Sequence, residues 1–217
     1  MITILTPRVI EALGRFNDAH PWDHNAHYHR WILRRLPRCC ARALDVGSGS
    51  GDLARALTGR AAAVHGVDAD PRIVARAREL TPAGAPVTFA VGEALAQRGT
   101  YEVVTCVAVL HHLPFDEALG HFRERLAPGG TLVVVGAYRA STPGDHLLGA
   151  VAVPLNAALG WIKNKGRTAP RPPSMTAPTR PASMTFAEIA DGAARLLPGA
   201  RLRRRLFWRY TLVWRRH

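Results

Sequence analysis

The sequence predicts an α/β fold, with a mostly parallel sheet of seven strands that is covered by helices on both faces. Three observations predict it. Short apolar runs alternate with helical patterns between residues 41 and 135, which is the order of a parallel sheet with helical crossovers. A loop with three alternating glycines follows the first apolar run, at residues 47–51. Near the carboxyl end, two adjacent runs of strand-forming residues indicate a closing pair of strands.

The predicted elements follow one another in a regular order. Residues 7–37 are expected to be helical, with a break near Pro21. The predicted strands are 41–46, 63–67, 87–91, 101–109 and 131–135, followed by the closing pair 201–206 and 208–214. The predicted helices after the first strand are 52–58, 71–80, 115–126, 145–161 and 185–197.

Local signals mark several helix ends. Pro71 stands in the first turn of its helix, where proline is favoured. Pro128 and the two glycines after it end the helix before the fifth strand. Thr185, with Glu188 three residues later, has the spacing of a capping box. The sequence therefore divides into an N-terminal helical lid (1–40), an α/β core (41–140), a cap made of an apolar helix and a mobile loop (141–184), and a C-terminal helix with the closing strands of the core (185–217).

The positive charge is concentrated near the carboxyl end. The net charge is +13, and residues 161–217 hold 13 basic and 2 acidic side chains, a net +11. Such asymmetry is found in proteins that bind nucleic acid or anionic membranes. The alternative is an arginine-rich composition without a dedicated partner, because alanine and arginine are abundant throughout the chain.

Length and cysteine content bound the class of protein. A chain of 217 residues makes one domain, or one domain with a small cap. No uninterrupted apolar run reaches the roughly 20 residues of a membrane span, and the amino end lacks the pattern of a signal peptide. The three cysteines, Cys39, Cys40 and Cys106, do not make a disulfide framework. We therefore expect a cytoplasmic protein.

The stretch 43–54 carries the strongest functional signal. An apolar run that contains one acid, Asp45, enters a loop with glycine at positions 47, 49 and 51. Glycine lets the backbone turn sharply and lets a ligand lie against the main chain. In an α/β sheet this strand-to-helix turn is a site where nucleotides bind. The second strand ends at Asp68, where a carboxylate suits a bidentate hydrogen bond to ribose hydroxyls.

The glycine spacing distinguishes between nucleotides. Dinucleotide-binding loops have the pattern G-x-G-x-x-G, in which the third glycine supports helix packing. Here the pattern is G-x-G-x-G, and Asp52 occupies the third-glycine position of the dinucleotide pattern. An acid there would repel a pyrophosphate. An NAD-dependent oxidoreductase is therefore disfavoured, and a ligand with a ribose and a cationic end fits better.

Residues 41–136 resemble the class I S-adenosylmethionine-dependent methyltransferases of the small-molecule type, whose first motif is apolar-x-D-x-G-x-G-x-G. The resemblance implies a Rossmann-like fold and S-adenosyl-L-methionine as cofactor, with S-adenosyl-L-homocysteine as product. Glu93 stands where the family more often has an Asp that contacts the adenine amino group, and residues 208–214 resemble the last strand of the family. The cofactor-binding positions implied by the resemblance are Asp45, Gly47, Ser48, Gly49, Gly51, Asp68, Ala69, Glu93, Ala94, Cys106, Val107 and, from the N-terminal lid, Tyr28.

The candidate catalytic residues are His111, His112, His24 and Tyr28. An attacking lone pair must lie in line with the transferred methyl group, so positioning supplies much of the catalysis. A base is needed only when the acceptor arrives protonated, and histidine titrates in the right range. The alternative for each histidine is a packing or capping role. A metal site in the His-rich segment 20–29 is not expected, because its spacing matches no ligand signature.

The acceptor is expected to be a small, largely apolar molecule, such as a specialised metabolite or a quinone-like ring. The segment after the fourth strand lacks the Asn/Asp-Pro-Pro-aromatic motif of adenine and cytosine amino-methyltransferases, and no added RNA-binding module is visible, so a nucleic-acid partner is not expected. The apolar segment 145–161 is expected to cap an acceptor pocket. Its alternatives are a core helix and a membrane-surface helix beside Lys163, Lys165 and Arg167.

Two other functions stay open at this point. One is an RNA- or protein-methylating enzyme that uses the basic C-terminal surface. The other is a non-catalytic protein that binds the cofactor or associates with a membrane. The sequence predicts no oligomeric state.

Overall fold

The computed structural model describes residues 7–175 and 180–217, and the strands of these residues form one seven-stranded sheet with the order β3-β2-β1-β4-β5-β7-β6. The strands are β1 (Cys40–Val46), β2 (Ala61–Asp68), β3 (Val87–Val91), β4 (Tyr101–Val107), β5 (Leu126–Ala137), β6 (Arg201–Arg205) and β7 (Arg209–Arg215). The helices are α1 (Pro7–Ala19), α2 (His24–His27), α3 (His29–Leu33), α4 (Asp52–Leu57), α5 (Pro71–Glu79), α6 (Phe115–Arg125), α7 (Pro143–Lys163) and α8 (Phe186–Leu196). The prediction for the extreme amino end, and part of the loop predicted at 163–183, lie outside the described residues.

The sheet is mostly parallel, as predicted. Strands β1 to β5 pair in parallel, whereas β7 pairs antiparallel with both β5 and β6. The carboxyl ends of the parallel strands therefore share one edge of the sheet. Because Arg209 pairs with Ala137, the antiparallel strand β7 begins at that same edge.

Two predicted boundaries are wrong at the centre of the sheet. Strand β4 ends at Val107 rather than at residue 109, because Ala108 takes a left-handed conformation (φ 58°) that ends the extended backbone. Strand β5 begins at Leu126 rather than at residue 131. The turn predicted at Pro128 is an irregularity within β5: pairing with β4 shifts between Tyr101 and Val103, and residues 127–130 fall out of register.

Each face of the sheet packs against its own layer of helices. On one face, Leu132 and Leu212 pack with Phe122 of α6 and Ile189 of α8. On the other face, residues such as Val133 pack with α3, α4 and α5. The second layer includes Tyr28 and Ile32 from the segment predicted as a lid, and Ile32 is completely buried. The N-terminal helices thus cover part of the sheet itself, and their role as a lid stays a prediction.

Helix α7 begins and ends with clear signals. The Thr142 hydroxyl accepts the Asp145 N–H at 3.2 Å, and the Asp145 carboxylate accepts the Thr142 N–H at 3.0 Å, which makes a capping box. The helix has 21 residues, and an 18-residue window has a mean hydropathy of 1.2, so by length and composition it is long and apolar enough to cross a membrane. The sequence analysis does not predict such a segment, because Pro154 interrupts the apolar run. Only 22% of the window is buried against the rest of the chain.

Candidate active site

The glycine loop between β1 and α4 forms a tight cradle. Gly47, Gly49 and Gly51 all have positive φ angles, of 68°, 51° and 81°. Residues other than glycine rarely adopt this conformation, so the three glycines stand where the backbone of the loop requires them. A Cβ on Gly51 would lie 2.5 Å from the Phe89 ring, whereas a Cβ on Gly49 would have no atom within 4 Å. The loop is therefore packed on its inner side and open above Gly49.

Asp68 holds the loop from the end of β2. Its Oδ2 accepts the N–H of Gly49 at 2.9 Å, and its Oδ1 accepts the N–H of Asp70 at 3.0 Å. Each carboxylate oxygen has a further lone pair. Asp68 therefore orders the loop and keeps the capacity to accept two ribose hydroxyls, so both interpretations of this residue, turn-forming and binding, are compatible with its geometry.

Asp45 lies beneath the loop in an apolar environment. It is only 2% exposed, and its Oδ1 accepts the Thr105 hydroxyl at 2.7 Å. Burial raises the pKa of Asp45 to about 7, with a further contribution from the charge of Asp68 and against the effect of the Thr105 hydrogen bond. A carboxyl group in this state becomes more acidic when a cation binds nearby. It is thus suited to a cationic ligand above the loop.

The segment after β4 closes the cradle from the side of the sheet centre. Ala108 donates its N–H to the Val135 carbonyl at 2.7 Å, and its left-handed conformation turns the chain sharply. The turn places Val109 against Gly47, where any Cβ would overlap the valine side chain. Strained backbone of this kind is often found at functional sites. Through the contact of Gly47 with Val109, the glycine loop packs against the segment that carries the histidine pair.

The other predicted cofactor positions lie at the same edge of the sheet, with different exposures. Glu93 and Ala69 are exposed, whereas Ser48 is buried and its Oγ has no hydrogen-bond partner among the described residues. Ala94 packs against the core formed with α6, and Val107 packs against the opposite core. The Cys106 side chain is completely buried, and burial raises the pKa of its thiol to about 12. Only its backbone is therefore available to a ligand.

The acid at position 52 is paired within its own helix. The Asp52 Oδ1 lies 2.6 Å from Nη2 of Arg55, and its Oδ2 accepts the Ser50 hydroxyl at 2.6 Å. Its negative charge is partly balanced, which weakens the expectation that it repels a pyrophosphate. The glycine spacing remains the argument against a dinucleotide.

His111 and His112 lie in a short 3₁₀ turn directly after the β4 corner. Their ring centroids are 4.0 Å apart. The Nδ1 of His111 is buried and has no hydrogen-bond partner among the described residues. Burial lowers the pKa of His111 to about 4, with smaller contributions from His112 and Arg209, so the ring is neutral near pH 7. A neutral ring can accept a hydrogen bond, but this pKa makes it a weak base.

His24 and Tyr28 belong to a second group, on the β7 side of the edge. The Tyr28 hydroxyl donates to the Leu206 carbonyl at 3.0 Å, and His24 hydrogen-bonds Asn156 of α7 and stacks on Phe207. Burial lowers the pKa of His24 and raises that of Tyr28. Both side chains are engaged in holding α2, α7 and the β6–β7 turn together. Tyr28 also packs in the same core cluster as Leu53 and Ala54 of α4. Its predicted contact with the cofactor, and catalysis by either side chain, stay predictions.

Arg209 is the residue that the sequence analysis missed. It begins β7, and its Nε and Nη2 hydrogen-bond the Asn25 Oδ1 at 3.3 and 3.2 Å. Within residues 7–175 and 180–217, no carboxylate lies within ion-pair distance of this partly buried guanidinium. Burial is the main cause of the lowered pKa of His24 and of His111, and the charge of Arg209 lowers both further. The signal that would have found it is topological: a charged residue begins an antiparallel strand at the ligand edge.

A cavity of about 390 Å³ opens beside this second group. Its wall contains aromatic and aliphatic side chains together with two arginines. The residues that line it are His27, Tyr28, Trp31, Leu148, Arg204, Arg205, Leu206 and Phe207. The cavity lies at the β6–β7 end of the ligand edge and not above the glycine loop. No group of three His, Cys, Asp or Glu side chains that could hold a metal ion occurs in the described part of the chain.

Comparison with known proteins agrees with this geometry. A methyltransferase domain family matches residues 44–132. An uncharacterized methyltransferase of Mycobacterium tuberculosis is 31% identical over 202 residues, which cover 90% of this chain and 97% of that protein. The chain belongs to the class I S-adenosylmethionine-dependent methyltransferases. The predicted family, fold and enzyme class are confirmed.

Two further proteins place this methyltransferase among its relatives. The ubiquinone biosynthesis O-methyltransferase of Thiobacillus denitrificans is 34% identical over 136 residues, which cover 54% of this chain and 59% of that protein. The crystal structure of magnesium protoporphyrin IX methyltransferase from Synechocystis, with bound S-adenosylhomocysteine, matches 97% of this chain and 95% of that chain with a TM-score of 0.58 and 18% identity. The structural similarity to the magnesium protoporphyrin IX methyltransferase shows that the two proteins share a fold.

S-adenosylmethionine is the cofactor of this family, and the residues of the loop fit it. The space above Gly49 is open, the Ser48 Oγ is buried without a partner among the described residues, and Asp68 has free lone pairs. Asp45 is a buried acid at the end of β1, directly before the loop, and its charge would suit the cationic end of this cofactor. The individual contacts of each residue stay predictions.

Proposed function

We propose that this methyltransferase acts on a small, largely apolar acceptor, such as a specialised metabolite or a quinone-like ring. The observation that carries the proposal is the position of the apolar cavity: it lies at the same sheet edge as the cofactor loop and is lined by Trp31, Leu148 and Phe207. Aromatic and aliphatic walls with a few polar groups are typical of small-molecule sites. The ubiquinone O-methyltransferases among the relatives give independent support to this class of acceptor.

Individual residues of the site have proposed roles in methyl transfer. S-adenosylmethionine supplies a methyl group already activated on a sulfonium, so the protein needs to position the acceptor and exclude water. His111, neutral and with a free Nδ1, accepts a hydrogen bond from an acceptor hydroxyl. As the methyl group is transferred, the proton of that hydroxyl would pass to His111 or to solvent. The positive charge of Arg209, which acts on His111, would stabilise the oxygen that gives up this proton. The apolar helix α7 contributes Leu148 to the cavity wall, which supports its proposed role as a cap.

The basic C-terminal surface gives less support to the alternative of an RNA- or protein-methylating enzyme. Most of its arginines have partners inside the chain. Arg204 pairs with Asp145 at 3.1 Å, and Arg205 donates to the Thr211 hydroxyl at 3.1 Å. Arg216 donates to carbonyls at the end of α6, including that of Arg123 at 3.1 Å. Arginines held in this way have less freedom to bind phosphates.

The state of the cysteines bears on the location of the protein in the cell. We propose a cytoplasmic enzyme, since its three cysteines are free, with Cys106 buried and Cys39 exposed.

Calorimetric titration with S-adenosylmethionine and S-adenosylhomocysteine tests the cofactor site first. We expect micromolar binding to the wild type and a loss of at least tenfold in Asp68→Asn, which keeps one acceptor oxygen but lacks the charge. The matched control is Asp70→Ala: it removes the side chain that caps α5, whose Oδ1 accepts the Arg72 N–H at 2.8 Å, but it belongs to none of the predicted contacts. Equal losses in both variants would assign Asp68 a structural role only.

The acceptor class is tested with a methyl-labelled cofactor. Label should pass to hydroxylated aromatic or quinol acceptors, and Arg209→Gln should lower that transfer while leaving cofactor affinity unchanged. Label in RNA or protein, with none in the small-molecule panel, would replace the proposal with the alternative. Cofactor binding without transfer to any acceptor would favour a non-catalytic role.

A further inference from the structure

Helix α7 has an inverted pattern for a helix on the surface of a protein. The side that packs on the chain contains Asp145 and Asn156, which are 3% and 8% exposed. The opposite side is apolar and open: Leu147 is 67% exposed, and Ile162 is 60% exposed. A surface helix of a soluble protein normally buries its apolar side and exposes its polar side. The outer side of α7 is therefore built for apolar surroundings.

The exposed apolar residues form a continuous stripe. Leu147, Val151, Leu155 and Ile162 follow one another at intervals of four or seven residues, which places them on one face of the helix, and Trp161 adjoins them. We call these five residues the α7 stripe. Each is at least 38% exposed. At 1.5 Å per residue the stripe is about 22 Å long, and it belongs to a single helix rather than to a groove.

The sequence segment that contains the stripe carries only positive charge, although Glu11 and Asp18 lie on α1, which packs against α7. Residues 146–187 contain no Asp or Glu and five Lys or Arg residues. Lys163 ends the helix, Lys165 and Arg167 follow it closely, and all three are exposed. An apolar helical face with a tryptophan and a basic end matches the pattern of helices that lie in a membrane interface. A second copy of this chain would bring two basic segments together, which like charges oppose.

The β6–β7 turn beside α7 carries a second unusual feature. Trp208 is 40% exposed in a left-handed conformation (φ 57°), and its indole lies 3.4 Å from where a Cβ on Gly149 of α7 would stand. Bulky residues disfavour this conformation, and glycine or asparagine is the usual choice. A tryptophan in a strained and exposed position contributes little to the stability of the folded chain. Its presence therefore indicates an interaction with something outside the chain.

We infer that the α7 stripe docks this methyltransferase on the surface of an anionic lipid bilayer. The helix lies in the interface and does not span the membrane, because its inner side is tied to the chain by polar contacts. The Trp22 indole donates to the Asn156 Oδ1 at 2.9 Å, and Arg204 pairs with Asp145 at 3.1 Å. Insertion across the bilayer would break both contacts and place Asp145 and Asn156 in hydrocarbon.

Flotation with lipid vesicles tests the inference. The wild type should float with phosphatidylglycerol–phosphatidylcholine vesicles, much less with phosphatidylcholine alone, and less in about 1 M salt, where charge attraction is screened. The double variant Leu147→Gln/Ile162→Gln should lose at least tenfold in partitioning. The control Leu80→Gln changes an apolar residue of similar type that is 39% exposed at the far end of the sheet, and should float like the wild type.

The charge contribution is tested separately. Lys165→Gln/Arg167→Gln should weaken partitioning to anionic vesicles by about fivefold per cation. Arg72→Gln/Arg98→Gln removes one cation from α5 and one from the connection between β3 and β4, and should change partitioning little. A circular-dichroism melt confirms that each variant is folded.

Three results would overturn the inference. The first is an absence of binding to both vesicle types. The second is resistance of the bound protein to alkaline carbonate, which would indicate a membrane span. The third is a dimer in sedimentation velocity without lipid that Leu147→Gln/Ile162→Gln dissociates, which would show that a second copy covers the stripe.

Discussion

Replacement of Asp45 by asparagine should stabilise the cofactor-free enzyme and weaken cofactor binding. The carboxyl group is 2% exposed, with the Thr105 hydroxyl as its hydrogen-bond donor. Burial raises its pKa from 3.8 to about 7. The folded protein therefore binds this proton more tightly than the unfolded chain does. The corresponding stability is present below the unfolded pKa and is lost as the pH rises from about 4 to about 7.

The magnitude follows from the shift. Each pKa unit corresponds to about 1.4 kcal/mol, so near pH 8 the ionised carboxylate lowers the free energy of unfolding by about 4 kcal/mol at most. Asparagine has nearly the same shape and no charge to bury, and its side-chain amide can keep one hydrogen bond to Thr105. Asp45→Asn should therefore be more stable than the wild type near pH 8, and the difference should shrink to below about 1 kcal/mol near pH 4.

Urea denaturation of both proteins at several pH values measures this difference. Thr105→Val, which removes the hydroxyl donor at constant shape, is the matched variant and should destabilise the protein most at high pH. Calorimetry in buffers of different ionisation enthalpy should show that the wild type releases part of a proton on binding S-adenosylmethionine near pH 7, and that Asp45→Asn does not. A stability difference that does not change with pH would refute the assignment of the shifted pKa to Asp45.

Three further predictions concern residues that hold the parts of the site together. Gly47→Ala should lower the free energy of unfolding by about 1–3 kcal/mol in denaturant titrations, because its Cβ overlaps Val109 at a positive φ; Gly14→Ala, in open space within α1, should not destabilise. Arg209→Gln should raise the pKa of His111 in an NMR titration and Arg209→Lys should not, whereas equal pKa values in all three proteins would contradict the placement of this charge. Trp22→Phe should cost about 1–2 kcal/mol in thermal denaturation, because it leaves the buried Asn156 side chain without the indole donor; an unchanged melting temperature would contradict this.

The parallel half of the sheet was predictable because its signals are local. Apolar runs, the glycine loop and helix caps such as the Thr185–Glu188 box each follow from a few adjacent residues. The end of β4 was not predictable, since residues 107–109 continue the apolar run and only the backbone of Ala108 ends the strand. The sequence predicts a turn at residues 127–130, because proline and two glycines mark a break in regular pairing. These residues do not indicate that the strand begins before the break.

The cofactor half of the site was predictable, and the acceptor half was only partly so. Asp45, Asp68 and the glycines lie within a few residues of the strand ends that position them. Arg209, by contrast, reaches the site from the other end of the chain and hydrogen-bonds Asn25, 184 residues away in sequence. Its position depends on the antiparallel pairing of β7 with β5. Long-range pairing of this kind is invisible to motif spacing.

Helix α7 contributes both to the proposed acceptor cavity and to the proposed membrane-binding surface. Leu148 lines the cavity, whereas its neighbours Leu147 and Val151 belong to the exposed stripe. The cavity and the lipid-facing surface thus lie against adjacent sides of the same helix. An apolar acceptor dissolved in the bilayer would reach the cavity without crossing bulk water. In that arrangement anionic vesicles should lower KM for a lipophilic acceptor and leave kcat unchanged, and Leu147→Gln/Ile162→Gln should abolish the effect of the vesicles without changing turnover of a water-soluble acceptor. A vesicle effect that persists in this variant would separate acceptor delivery from the α7 stripe.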